Sequence, residues 1–177
     1  LKELGPIYTR LNNPTTDVLE QRFAALEGGA AAICTSSGQA ASFYAIANVA
    51  ESGDNILISD KLYGGSVTLL TYTMKRFGIS AKVFKSDDAS DLESLIDDRT
   101  KAIYFESLSN PQIAIPDVEK IATIGKKHGV LTICDNTVAS AALFNPIKWG
   151  IDVVVHSTSK YTNGQGTALG GIVVERD

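Results

Sequence analysis

Seven short apolar runs punctuate the chain: Ala31–Thr35, Ile56–Ser59, Lys82–Phe84, Ala102–Phe105, Val130–Cys134, Val153–Val155 and Ile172–Val174. Each is continuous rather than alternating in polarity. A strand with one wet face alternates, so continuous runs predict strands covered on both faces, as in parallel sheets. Between them the apolar positions take a helical period. Val67, Leu70, Met74 and Phe77 recur at such spacing, as do Val118, Ile121 and Ala122 on a segment opened by Pro116 and closed near Gly129. "SDLE" at Ser90–Glu93 has the spacing of a capping box, and Asp17–Glu20 repeats it ahead of Phe23 and Leu26. Strands alternating with helices predict an α/β fold with a mostly parallel sheet.

In such sheets ligands gather beyond the carboxyl ends of the strands. The residues that follow each run are therefore the place to look for a site. Ser36, Ser37 and Gly38 follow the first run, and Asp60 and "YGG" from Tyr63 follow the second. Glu106 and "SNP", with Asn110, follow Phe105; Asp135, Asn136 and Thr137 follow Cys134; "HSTSKY", His156–Tyr161, follows Val155. Taken singly, such residues are commonly helix caps or loop hydrogen-bonders. Five polar clusters on one edge are what a shared site needs.

Composition narrows the partners. The chain has 177 residues, 44% hydrophobic and 20% charged, enough for one sizeable core. Its net charge is −4 and no stretch of Lys and Arg forms a basic stripe, which argues against nucleic acid or an anionic membrane as partner. No apolar segment approaches the roughly 18 residues of a membrane span. Cys34 and Cys134 lie inside apolar runs and read as buried thiols of a reducing compartment, the cytoplasm. His128 and His156 have no spacing to other ligands that suggests a metal. No linker, repeat or low-complexity segment divides the interior, and both ends look cut from something longer.

The unusual residue is Lys160. Most lysines are solvated surface charges, yet this one stands among hydroxyl side chains where a buried strand runs out. The nucleotide motif G-x-x-x-x-G-K-[ST] is absent, "GQGTALG" lacks the G-x-G-x-x-G spacing, and there is no G-x-S-x-G elbow. What remains is a lysine, an aspartate ending a strand, a glycine turn opening a helix and an aromatic beside two glycines. Pyridoxal 5'-phosphate asks for that set: a Schiff-base lysine, an acidic partner for the pyridine nitrogen and a phosphate site. "SSGQAA" can present backbone N–H groups at a helix N-terminus, and Ser157 and Ser159 can add hydroxyl donors.

"YTRLNNPTTDVLEQRFAALEGG", "SSGQAA", "LYGGS", "SNP", "DNT" and "HSTSKY" follow one another in an order that resembles the Cys/Met-metabolism family of pyridoxal-phosphate enzymes. That family includes cystathionine synthases and lyases, methionine γ-lyase and O-acetylhomoserine sulfhydrylase. The resemblance runs from Tyr8 to Val174, and "SGQ" in place of "SGM" is more similar to the sulfhydrylases. It implies a three-layer α/β/α large domain like that of aspartate aminotransferase over residues 15–177. Residues 1–14 would be the remnant of an arm that contacts a partner subunit. A C-terminal domain carrying the arginine for the substrate carboxylate would lie outside the chain.

The resemblance also implies roles. Lys160 matches the lysine that binds the cofactor and moves protons, Asp135 the partner of the pyridine nitrogen, and Tyr63 the tyrosine stacked on the ring. These three are the catalytic candidates. Gly38 and Gln39 through their backbone, and Ser157 and Ser159 through their hydroxyls, match the phosphate cradle. Tyr8 and Arg10 match the pair that reaches a neighbouring subunit's phosphate, and Asn110 the asparagine near the phenolic oxygen and the substrate carboxylate. His156 is read as structural. The implied reaction is γ-replacement on O-acetyl-L-homoserine by sulfide, in a homodimer with shared sites paired into a tetramer. A methionine γ-lyase or cystathionine synthase or lyase, and a non-catalytic assembly module of the same fold, are the alternatives at this stage.

Overall fold

The computed structural model describes residues 5–177, so the first four residues of the expected arm lie outside the described residues. Every apolar run forms a strand: β1 (Ala31–Thr35), β2 (Asn55–Ser59), β3 (Ser80–Phe84), β4 (Thr100–Glu106), β5 (Leu131–Asp135), β6 (Val153–His156) and β7 (Gly171–Glu175). They make one sheet in the order β1-β7-β6-β5-β4-β2-β3. Neighbours are parallel from β3 through β6, whereas β7 is antiparallel to both β6 and β1. Parallel neighbours need a crossover, usually a helix. The connection 157–170 contains none, so the chain turns back on itself into β7.

The helices are α1 (Pro14–Glu27), α2 (Gly38–Ala47), α3 (Gly64–Thr68), α4 (Leu92–Leu95), α5 (Val118–His128) and α6 (Ser140–Leu143). A π turn (Leu69–Thr73) and a 3-10 turn (Met74–Phe77) prolong α3, so the helical spacing from Val67 to Phe77 is realised, although only Leu70 and Met74 of the four are buried.

The two capping boxes are not realised. Helix α1 starts earlier, at Pro14, because Asn13 Oδ1 accepts from Thr15 N (3.0 Å) and Thr16 N (3.3 Å). Glu20 instead accepts from Cys34 N at 2.7 Å, pinning α1 to β1. Helix α4 begins after Asp91, whose carboxylate is taken by Lys85 N (2.9 Å) and leaves the helix uncapped.

Strand parity sorts the side chains into layers. Tyr104 and Ile133 face α2 and α3, with Ala41, Ile46, Leu70 and Met74. Ile103, Phe105 and Cys134 face the other way, onto α4 and α5, through Leu92 and Ile121. Phe23 of α1 covers Val154, Ile172 and Val174 on that second side. The result is the expected three-layer α/β/α arrangement.

Candidate active site

Two residues beyond Tyr104 and Ile133, the same parity brings Glu106 and Asp135 onto the α2/α3 side at the carboxyl edge of the sheet. They are direct neighbours in the β4–β5 register. Helices α2 and α3 begin at that edge, since each follows a strand of the parallel set in direction, β1 and β2. The turn after β6 completes the rim.

Asp135 is held from several sides. Its Oδ1 accepts from Thr137 N (2.9 Å) and Thr137 Oγ1 (2.5 Å), and Oδ2 accepts from the Tyr104 hydroxyl (3.3 Å). That hydroxyl also pairs with Ser42 Oγ of α2 at 2.9 Å. Burial and the nearby Asp135 push the Tyr104 phenol well above its ordinary range, so it stays a donor. Thr137 Oγ1 in turn accepts from Ser157 N (2.8 Å), tying the end of β5 to the turn after β6. Oδ1 is thus occupied while Oδ2 has one long contact, and the carboxylate keeps acceptor capacity for a further donor.

Helix α2 starts against Ser157. Ser37 Oγ caps it by accepting from Ala40 N (3.1 Å), and the N–H groups of Gly38 and Gln39 find no acceptor among the described residues. A Cβ on Gly38 would lie 2.5 Å from Ser157 Cβ and 2.8 Å from its Cα, so only glycine lets the helix start this close. Gly38, Gln39 and Ser157 therefore stand together, as the phosphate expectation requires. The Ser159 hydroxyl is engaged elsewhere: it accepts from Gly170 N (3.0 Å) and reaches Gly170 O (3.3 Å), bracing the β6–β7 loop.

Tyr63 ends the loop after β2. Its N–H donates to Glu106 Oε1 at 2.7 Å, its ring lies over Gly65, and the residue is half exposed. Asn110 N donates to the other oxygen, Oε2, at 3.0 Å, and the Asn110 side chain faces solvent. Glu106 itself is buried, and that burial, with Asp135 alongside, pushes its carboxyl up to about 7 against the two N–H bonds that lower it. Sequence reasoning noted Glu106 only as a residue after a run and gave it no role. The available signal was a carboxylate closing an otherwise apolar buried strand.

Lys160 lies in the turn after β6, where its N–H donates to Ser157 O (3.2 Å) and its carbonyl accepts from Gly164 N (2.8 Å). The reading that this position is a poor place for a solvated charge is corrected here: Lys160 is exposed in this chain, because the turn projects past the strand end. Tyr8 and Arg10 are also exposed. The Arg10 guanidinium sits 5.0 Å from the Tyr8 ring centroid, and a tight turn closes through Leu11 N to Tyr8 O (2.8 Å). Among the described residues, Tyr8 O accepts from Leu11 N and Asn12 N, and no hydrogen bond joins Tyr8 or Arg10 to the Asp135 cluster.

His156 has the opposite parity. It points to α1, where Nε2 meets Glu27 Oε1 at 2.5 Å and Phe23 packs edge-on at 5.4 Å. Asn136 Nδ2 donates to the same Glu27 oxygen at 3.0 Å. This is a buried brace behind the site. A separate surface groove of about 720 Å³ lies at the other edge of the sheet, lined by Lys101, Leu131, Trp149, Asp152 and Arg176. None of the site residues lines it. Both cysteines are free, and burial raises both thiols, Cys34 to about 11.

The comparisons bear on this geometry. The family model "Cys/Met metabolism PLP-dependent enzyme" matches residues 1–177. Sulfhydrylase FUB7 of Fusarium oxysporum f. sp. lycopersici is 51% identical over 176 residues, which are 99% of this chain and 41% of that protein. An O-acetyl-L-homoserine sulfhydrylase of Leptospira meyeri is 46% identical over 175 residues, 99% of this chain and 40% of that one. A crystal structure from Campylobacter jejuni, described as an O-acetylhomoserine (thiol)-lyase with a pyridoxyl-lysine phosphate, superposes with a TM-score of 0.96 at 60% identity. That match covers all of this chain and 44% of the solved one. The chain thus spans about two fifths of the length of the curated relatives it matches. On sequence and fold together, it belongs to the family of Cys/Met-metabolism enzymes that depend on pyridoxal phosphate.

Proposed function

We propose that the protein containing this chain makes homocysteine by pyridoxal-phosphate-dependent γ-replacement, exchanging the acetate of O-acetyl-L-homoserine for sulfide. The observation that carries the cofactor assignment is the linked set at the carboxyl edge. Asp135 is oriented by Thr137 and Tyr104, and Thr137 is joined through Ser157 to the start of α2, where the Gly38 and Gln39 N–H groups are unpaired among the described residues. The donor set suits the group: two free N–H groups and a hydroxyl for a dianionic phosphate, and a carboxylate for a ring nitrogen. The choice of reaction rests on relatives named as O-acetylhomoserine sulfhydrylases.

When bound, pyridoxal phosphate supplies an electron sink for charge that develops on the substrate carbons. This chain's residues do the rest. Gly38, Gln39 and Ser157 hold the phosphate, with Ser159 bracing the loop beside it. Asp135 holds a proton on the ring nitrogen. Tyr63 would cover a face of the ring, and Asn110 would serve the cofactor's phenolic oxygen and the substrate carboxylate. Lys160 would hold the cofactor through its amine and, freed when the substrate binds, would take the Cα proton. After a further proton leaves Cβ, the Cγ–O bond would break with acetate taking the electron pair, hydrosulfide would form the Cγ–S bond, and protons would return to Cβ and Cα. Tyr8 and Arg10 complete the phosphate site of a second copy in a homodimer, itself paired into a tetramer. Their exposure and their lack of contact with the Asp135 cluster support that reading. Residues 15–177 form the cofactor-binding domain in this scheme. Its setting is cytoplasmic, in keeping with two free thiols.

The test uses the full-length protein with O-acetylhomoserine, with and without sulfide. Homocysteine formed only with sulfide is the expected result. Ketobutyrate and ammonia released without it would overturn the assignment in favour of a lyase. Borohydride reduction followed by peptide mass spectrometry should place a phosphopyridoxyl group on Lys160, and the adduct on another lysine would refute its role.

A further inference from the structure

We propose that Glu106 is a positioning residue of this site, its two carboxylate oxygens fixing the backbone of Tyr63 and of Asn110 and so setting two loops against Asp135 together. The role in catalysis rests on the reading above; the clamp itself rests on geometry alone.

Glu106 is the last residue of β4, is buried, and has the parity that turns its side chain towards α2 and α3. Oε1 accepts from Tyr63 N at 2.7 Å, across 43 residues of sequence, and Oε2 accepts from Asn110 N at 3.0 Å, four residues on. The two loops follow adjacent parallel strands, β2 and β4, and Glu106 links their backbones directly. Tyr63 occupies the N-cap of α3 without a side-chain cap bond, so the loop's anchor there is supplied from outside by Glu106. Holding both residues by the backbone leaves the phenol ring and the carboxamide free to meet a ligand.

A carboxylate suits this task because it offers two acceptor oxygens and no donor. Glutamine is nearly isosteric but must present its NH₂ to one of the two N–H groups, setting donor against donor. Burial pushes this carboxyl up to about 7, and the two N–H bonds act against that cost by favouring its ionised form. A carboxylate kept in such a place, with both oxygens on the frame of a site, fits a positioning role better than an incidental loop contact.

The experiment compares full-length, pyridoxal-phosphate-loaded wild type with Glu106→Gln, and with Glu20→Gln as a control that neutralises a carboxylate bonded to a backbone N–H between α1 and β1. Amide hydrogen exchange is read at Tyr63 and Asn110, and visible circular dichroism reads the surroundings of the bound cofactor. In Glu106→Gln, at least one of the two amides should exchange about ten- to a hundredfold faster, the range for losing a bond to a charged group. The visible band should change with it, while Glu20→Gln leaves the band as in wild type. In a Tyr63→Ala background, Glu106→Gln should alter the band less than it does in wild type, because the ring it positions is gone. Unchanged exchange at both amides overturns the clamp. Changed exchange with an unchanged band overturns the positioning role. Should the variant not fold, the wild type still decides, since Tyr63 and Asn110 amides exchanging at free-chain rates would refute the clamp. Failure of the wild type to bind pyridoxal phosphate would instead sink the functional reading, and the exchange result would stand separately.

Discussion

Two glycines open the two site helices, and the structure sets them apart. Gly38 begins α2 and Gly64 begins α3. A Cβ built on Gly64 meets nothing within 4 Å, whereas one on Gly38 lies 2.5 Å from Ser157 Cβ, about 0.9 Å short of the 3.4 Å where ordinary contact begins. The obstacle at Gly38 is the main chain and Cβ of Ser157, which cannot swing aside as a flexible tip would. Ser157 N is itself held by Thr137 Oγ1 at 2.8 Å, and Thr137 by Asp135. Gly38→Ala must therefore either push α2 back or strain the chain that orients Asp135. Overpacking of this kind costs about 1–3 kcal/mol, and alanine's advantage over glycine in a helix returns at most about 1 kcal/mol. The net expectation is a destabilisation of up to about 3 kcal/mol. Gly64→Ala, with no clash, should be neutral or stabilising by up to about 1 kcal/mol. Urea unfolding of the full-length protein reads both. Titration with pyridoxal phosphate should show about ten- to a hundredfold weaker binding for Gly38→Ala, as the N–H groups move off the phosphate. Equal stability changes in the two variants, or wild-type cofactor affinity in Gly38→Ala, would refute the argument.

The buried brace gives a second test: Glu27→Ala leaves His156 Nε2 without its acceptor and takes one of the two acceptors of Asn136 Nδ2, the other being Phe144 O, and should cost about 3 kcal/mol or more, so a urea midpoint close to wild type would show that the brace carries little. Glu106 predicts a pH effect. Its folded value of about 7 lies above the ordinary 4.5, so its contribution to stability is fully present below about pH 4.5 and lost as pH rises through about 7. Between pH 5 and 8 the wild type should lose up to about 3 kcal/mol more than Glu106→Gln, and identical pH profiles would contradict this. Shared sites predict that inactive Arg10→Ala chains mixed with inactive Lys160→Ala chains regain activity towards about a quarter of wild type after random exchange, whereas no recovery despite demonstrated exchange would show that Tyr8 and Arg10 serve no partner.

The strands were legible because inner strands covered on both faces must be apolar in unbroken runs; all seven runs became strands, although the edge strands β1 and β3 are not covered throughout and leave Ile33 and Val83 exposed. Their ends were legible too, so the neighbourhood of Gly38, Tyr63, Asn110, Asp135, Ser157 and Lys160 could be assembled from polar residues that follow those runs. What the order of residues could not show was which way each end residue points. Asp135 and His156 both close a strand, yet one faces the α2/α3 side and the other faces Glu27, because a shift of a single position in strand phase reverses the face. Glu106 shows the same limit in another form. Its partner Tyr63 is 43 residues away and contributes only a backbone N–H, a group that every residue but proline carries. The cap at Asn13, the turn of β7 against its neighbours and the exposure of Lys160 were likewise settled by tertiary contacts. Local pattern records how much of a segment is covered, and only the folded chain decides what covers it.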